Sequence, residues 1–455
     1  MKSNNDFDPS YISRKSFLRL LGGASSFFLI HKNASAALVE TSGADDFPPF
    51  VPREGANKPI GVPKGIVPGR VAWSWDPKAA HWNERTGTWW DAFSNDQAAI
   101  DEMVSRAIHS IANESSTEKS WNAICEFFNR SNGGEDRGYG RGEKIAIKVN
   151  LNNDRTSYDD TPWINTSPQV VNAVIYNLVR GACVREEDIT VFDSSRYITP
   201  HFYDYVHGAF PEVVFVDGYG GLPGRNKATW IPDRISYAVK TQCGTSIPTC
   251  VVEAKYLINI YAAKGHPSTG VTLSGKNHYG CIDGREHSYI KVKEKGYDHY
   301  NPLVDLMGHK DLGGKTILNV CDMLYGCYHS DALPIKWKMV PFKNAWPSSI
   351  LVSQDSVAND SVALDFLTTE FSPRTDIPAG VNVKGRKVEM TNCDAVLHEA
   401  ARAGEPPSGI VYAPNGDGLR LKSLGVHEHW NNAEEKKYSG NTGSKNGIEL
   451  LLIKR

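Results

Sequence analysis

The eight cysteines of this 455-residue chain include no C-x-x-C pair, which removes a zinc ribbon, a thioredoxin-like couple and a cysteine-rich iron–sulfur cassette. There is no G-x-S-x-G elbow and no G-x-x-x-x-G-K-[ST] loop, so serine hydrolases and P-loop NTPases lose their usual carriers. Gly218-Tyr219-Gly220-Gly221 is glycine-rich but is not G-x-G-x-x-G, so a standard dinucleotide fold is also unsupported. Neither charge sign dominates: 50 Lys and Arg stand against 52 Asp and Glu, which excludes nucleic acid as an electrostatically selected partner. Beyond the N-terminal region no apolar run approaches the roughly 20 residues that span a bilayer, so the mature chain is expected to carry no transmembrane segment. Internal repeats are lacking too. What remains, at 40% hydrophobic residues with 40 Gly and 25 Pro, is a folded protein with many turns and long loops.

Residues 1–36 read as an export signal. Ser13-Arg14-Lys15-Ser16-Phe17-Leu18-Arg19 precedes an apolar run from Leu20 to Ile30, and Ala34-Ser35-Ala36 forms an A-x-A cleavage site. The basic stretch resembles a twin-arginine translocation signal, with Lys15 where the second arginine normally stands. Such a leader implies the export machinery as a partner and a periplasmic or extracellular destination. Disulfides become permissible there, and Cys243 with Cys250, and Cys321 with Cys327, are the local pairs expected to be within reach. Residues 37–70, rich in Pro and Gly, read as an extended arm or linker, and 71–455 as one large domain.

The fold class is α/β. Ile100, Met103, Val104, Ala107, Ile108 and Ile111 recur at helical spacing behind Ser94-Asn95-Asp96-Gln97, which resembles a capping box. Lys144 to Leu151 reads as a strand. Ser167-Pro168 then opens a helix whose apolar face, Val170, Val171, Val174, Ile175 and Leu178, ends at Gly181, and Ile189 to Phe192 reads as a second strand. Strand, helix and strand in that order make a βαβ unit, hence a mostly parallel sheet with long decorated loops. Further strands are expected at 213–216, 256–260, 316–320 and 350–352, with helices at 357–369 and 394–403.

Ligands gather beyond the carboxyl ends of parallel strands, so residues just after each predicted strand are the first site candidates. Lys148, Asn150, Asn152 and Asn153 close the first strand, Asp193, Ser194 and Ser195 the second; His266 and Asp322 follow later ones. The segment 266–287 adds Lys276, Asn277, His278 and Cys281, a mixture suited to an anionic group. Asp355, Asp360 and Asp365 recur every five residues, about 140° apart on a helix, so they cannot share a face; Asp355 is expected as the N-cap, with one of the others turned to the site and the other to solvent. Catalytic candidates are therefore Lys148, Asp193, Lys276, His278, Asp355 and Asp360, and ligand-binding candidates Asn150, Asn152, Ser194, His266 and Asn277. His427-Glu428-His429 is not H-E-x-x-H, yet on a strand the two imidazoles would share a face. A divalent metal, if used, would draw on His266, His278, Cys281, Asp322, His427 and His429.

Ile147-Lys148-Val149-Asn150, Ser167-Pro168-Gln169-Val170-Val171, Asp193-Ser194, Lys276-Asn277-His278-Tyr279-Gly280 and Asp355-Ser356-Val357-Ala358-Asn359-Asp360 together resemble the bacterial proteins that carry domain of unknown function 362, with Ser356 in place of a usual proline. Trp73 to Asp76 and Ser423 to Ala433 resemble that family's exported branch. The resemblance implies an exported protein of a family whose chemistry is not established. Some members append a ferredoxin-like cysteine cluster; this chain has none, so electron transfer is not implied. Three functional readings follow: an enzyme acting on a small polar or anionic ligand in a strand-end cleft, a binding protein using the same cleft without turnover, and a metal-dependent protein. The sharpest expectation is that Lys148, Asp193, Lys276 and Asp355 share one pocket.

Overall fold

The computed structural model describes residues 54–292, 297–374, 376–377 and 388–454. The expected export signal, and the expected arm as far as residue 53, lie outside them. In the rest of the arm, Ile60–Gly61 pairs antiparallel with Val426–His427.

One ten-stranded sheet organises the chain. In chain order its strands are β1 (Arg70–Trp75), β2 (Ile145–Lys148), β3 (Ile189–Asp193), β4 (Val214–Asp217), β5 (Arg225–Lys227), β6 (Tyr256–His266), β7 (Gly270–Thr272), β8 (Thr316–Cys327), β9 (Ser349–Ser353) and β10 (Glu449–Lys454). Across the sheet they run β10-β1-β9-β8-β6-β2-β3-β4-β5, with β7 folded back on β6. Every neighbouring pair is parallel except those made by β9 and by β7. β2 and β3 are parallel neighbours, Ile145 opposite Ile189, so the βαβ unit is present. β3, β4 and β5 step outward on one side of β2, and the chain then returns to lay β6 on its other side. Strand order reverses at β2 and β6, a topological switch point.

The strands alternate between two apolar layers. Ile145 and Ile147 face one with Ile258 and Ile260, while Ala146 faces the other with Leu257 and Tyr261. Helices α1 (Gln97–Ala112), α2 (Thr117–Ser131), α3 (Pro168–Tyr176) and α4 (Pro200–Ala209) cover the first layer. Helices α5 (Ser274–His278), α6 (Pro302–Gly308), α7 (Ser356–Phe371) and α8 (Cys393–Ala401) cover the second. Among the described residues no helix is long and apolar enough to cross a membrane.

Local expectations change where tertiary contacts outrank pattern. The cap of α1 is Asp96, whose carboxylate accepts from Ala99 N–H, rather than Ser94. Ser167 stands at the cap of α3 but gives its N–H and hydroxyl to Asp322, both at 2.7 Å. β6 and β8 run well past their predicted ends, so His266 closes β6 and Asp322 lies inside β8. All eight cysteines are free. Cys321 and Cys327 sit on one strand, opposite Tyr261 and Lys264 of β6, and are not bridged; Cys243 turns its sulfur to the Tyr279 hydroxyl at 3.4 Å.

Asp355 is the N-cap of α7 as expected, but it is a joint rather than a ligand. Its oxygens accept from Ala358 N at 2.9 Å, Lys64 N at 2.8 Å and Val426 N at 3.2 Å, tying the arm and the segment before His427 to the helix. A methyl group there would orphan three backbone donors, those of Ala358 and Val426 buried. Asp355→Ala is expected to lower unfolding free energy by about 3 kcal/mol in a urea titration, summing a lost cap and unsatisfied amides; a loss under ~1 kcal/mol would contradict this account.

Candidate functional site: a cationic cleft at the strand ends

Lys148 is the last residue of β2 and Asp193 the last of β3, so a parallel register sets them side by side. Their charges lie 3.1 Å apart, both essentially buried. Asp193 accepts from Leu151 N at 3.1 Å and Ser195 Oγ at 2.9 Å. Burial pushes its carboxyl up, but Lys148 and Arg196 outweigh that and hold it below the ordinary range. Lys148 Nζ also donates to Val149 O and, at 3.2 Å, to Asn277 Oδ1.

Asn277, on the short helix α5, bridges the switch point. Its Oδ1 accepts from Lys148 and from Asn150 Nδ2, each at 3.2 Å, while its Nδ2 donates to Asn259 Oδ1 at 2.7 Å and Ile260 O at 3.1 Å on β6. Asp360 of α7 fixes the start of α5 by accepting from Ser274 N and Ser274 Oγ, and it takes the Tyr261 hydroxyl at 2.9 Å. Gly280 leaves the room Lys148 needs: a Cβ there would stand 3.1 Å from the Lys148 amine.

These residues wall a narrow cleft lined by Lys148, Asn150, Asn152, Asp193, Lys276 and Asn277, together with Ser195, Arg196, Gly280, Arg285 and His287. Lysine and arginine outnumber carboxylates there by four to one. Burial, and then Arg196, Arg285, Lys264 and Lys148, bring Lys276 down to about 7. His287 is pulled to about 4 by burial and then by Lys276. The Asn150 side-chain oxygen is buried with no hydrogen-bond partner among the described residues.

The remaining candidates stand elsewhere. Asp355 does not join the cleft, because all its acceptor capacity goes to the backbone donors named above. Asp360 is a support for α5, and the expectation that one of Asp360 and Asp365 meets solvent is corrected: both are buried. Ser194 caps the Gly280 carbonyl at 2.9 Å. His266 takes Ser268 N–H at 3.1 Å and stacks on His287. His278 meets Asn259 at 3.3 Å, and burial pushes it to about 3. Burial raises the Cys281 thiol to about 12, so it is not a thiolate at neutral pH. Asp322 is committed to Ser167. Of the proposed metal ligands only His427 and His429 come together, and they do so with Asp394, which sequence reasoning missed: their ligand atoms lie within 4.8 Å of one another. That group can hold a metal ion. Arg196 and Arg285 were missed as well, having no local signal beyond their place next to strand-end loops.

Residues 145–365 match the model of the domain of unknown function DUF362. This match supports membership of that family. A search of curated proteins finds no match to the chain. The DUF362 stretch opens at β2 and closes within α7, so every residue lining the cleft falls inside it, whereas Asp394, His427 and His429 fall beyond its end.

The Gly280 contact gives a direct check on the cleft wall. Gly280→Ala is expected to cost about 1–3 kcal/mol in urea unfolding by crowding the Lys148 amine, and much of that cost to vanish in a Lys148→Met background. Strict additivity of the two substitutions would show that they do not touch.

Proposed function

We propose that this chain binds a small anionic substrate in the strand-end cleft and moves a proton on it through Lys276. One observation supports the reading above all: Lys148, Arg196, Lys276 and Arg285 surround a single carboxylate, Asp193, at the switch point of a parallel sheet. Lys148 is neutralised by Asp193, which leaves Lys276 and the two guanidiniums as the uncompensated charge that a carboxylate or phosphate would satisfy. Asn150 Oδ1 is free to accept from a hydroxyl or amine on the same ligand. An amine near 7 gives and takes protons efficiently at neutral pH, which favours turnover over passive capture. Export through the leader at residues 1–36, to the periplasm or beyond, belongs to the proposal and is supported by the Arg14-Lys15 and Ala34-Ser35-Ala36 signals.

Metal-dependent chemistry is a second reading, favoured by the Asp394, His427 and His429 group. Elemental analysis of purified protein separates it from the first.

The pH dependence follows from Lys276. Its folded value, about 7, lies below the ordinary 10.5, so its positive charge is lost as pH rises through 7. Affinity for phosphate, sulfate or a dicarboxylate, read by calorimetry, should fall up to tenfold per pH unit above 7, and Lys276→Met should weaken binding and abolish the slope. Unfolding between pH 7 and 10.5 takes up a proton at Lys276, so this residue makes wild-type stability climb with pH across that window, and Lys276→Met should raise Tm at pH 7 by a few °C or so. The reading fails if none of these anions binds the wild type more tightly than Lys276→Met.

A further inference from the structure

We propose that Asp394, His427 and His429 bind one divalent first-row transition ion through a carboxylate oxygen and two Nε2 atoms, with the remaining coordination position open to solvent. This takes the metal-dependent reading further and is independent of the anion cleft.

Asp394 belongs to α8, and the two histidines flank Glu428, His427 being the last residue of the segment paired with Ile60–Gly61. The outer nitrogen of each ring is already oriented. His427 Nδ1 lies 2.8 Å from Ser361 Oγ, and since that hydroxyl gives its own proton to Val357 O at 2.7 Å, it accepts from the imidazole. His429 Nδ1 lies 2.7 Å from Asp365 Oδ1, while Asp365 Oδ2 accepts Trp430 N–H at 3.0 Å and the Tyr438 hydroxyl at 2.8 Å. With a proton on each Nδ1, it is the Nε2 atoms that face inward, the arrangement metal-bound histidines show when a carboxylate or hydroxyl stands behind them; an ion there would take the place of the second proton that Asp365 and Asp394 favour on His429.

The inward atoms meet at Asp394. Its Oδ1 lies 3.2 Å from His429 Nε2 and 3.4 Å from His427 Nε2, and the two rings stand 82° to each other. Ligands about 2.1 Å from a tetrahedral ion are about 3.4 Å apart, a spacing that both carboxylate–imidazole pairs match, while the two Nε2 atoms lie within 4.8 Å of each other. Neither oxygen of the fully buried Asp394 carboxylate makes an aligned hydrogen bond, nor does His429 Nε2. A buried carboxylate in that condition is costly unless a cation completes it. Asp394 and His429 also line a cavity of about 880 Å³ with Glu54, Thr368 and Trp430. Three protein ligands beside an open cavity are the pattern of catalytic rather than structural zinc.

The test uses the full chain, stripped with chelator, titrated with Zn²⁺ or Co²⁺ and analysed for metal content and for Co²⁺ visible absorption. The wild type and the cleft variant Lys276→Met are expected to hold one ion per chain. Asp394→Asn and the double variant His427→Ala/His429→Ala should lose it. Asp365→Asn, which leaves all three ligands in place, should keep one ion with affinity reduced 10–100-fold and a shifted Co²⁺ spectrum; it decides the matter if the ligand variants fail to fold. The proposal is overturned if the stripped wild type takes up no more metal than the double variant, the contacts then being those of an imidazolium between Asp365 and Asp394. It is equally overturned if Asp365→Asn binds Co²⁺ with unchanged affinity and spectrum. Loss of anion binding in Lys276→Met with metal content intact would show the two sites to be separate.

Discussion

A lysine buried at the end of a parallel strand is the constraint from which the cleft follows. Removing the Lys148 ammonium from water is tolerable only because Asp193 ends the neighbouring strand in register, 3.1 Å away. That pair fixes where Leu151 and Ser195 turn, because their donors must meet Asp193, and it fixes Asn277, because the ammonium needs a further acceptor. Asn277 in turn ties α5 to β6, and with it the position of Lys276 one residue earlier. The second cation has no carboxylate of its own within the cleft. One lysine is paired and buried; the other, without a carboxylate partner in the cleft, is brought down to about 7 by burial and its cationic neighbours.

The fold was largely legible because its strongest signals are local. A short apolar strand, Ser-Pro opening a helix with a one-sided apolar face, and a second apolar strand specify a βαβ unit with little help from distant residues, and β2, α3 and β3 lie close to where they were expected. β6 and β8 were read short because they carry Lys264, His266 and Asp322, polar residues that interrupt an apolar pattern but are satisfied by Ile164 O, Ser268 N and Ser167 beyond the strands. The strand-end rule pointed to Lys148, Asn150, Asn152 and Asp193, and the polar 266–287 loop to Lys276 and Asn277, and these six line one cleft. It failed for Asp355, whose fate was set by Lys64 and Val426, one far upstream and one far downstream. Asp394 was invisible for a similar reason: nothing around it in a mostly apolar helix marks it, and its partners arrive only when the C-terminal segment packs over α8.

The two clusters differ in what satisfies them. In the cleft the surplus is positive, with a free acceptor at Asn150 and an amine that titrates near neutrality. At the histidine cluster the surplus is electron-pair donors: two imidazoles whose outer nitrogens are held, and a buried carboxylate without aligned donors. The first calls for an anion and the second for a cation.

Helix α7 connects them. It is buried nearly all round, so its three aspartates cannot reach water and must each find donors on a neighbouring element. Asp355 takes the arm and the segment before His427; Asp360 takes the start of α5, which carries Lys276 and Asn277; Asp365 takes His429, Trp430 and Tyr438. The five-residue spacing that forbids a common face is what lets one helix address three elements on different sides. Because a helix packed this tightly moves as a rigid body, the geometry of the cationic cleft and that of the histidine cluster are set by the same element, and a substitution that displaces α7 would disturb both at once.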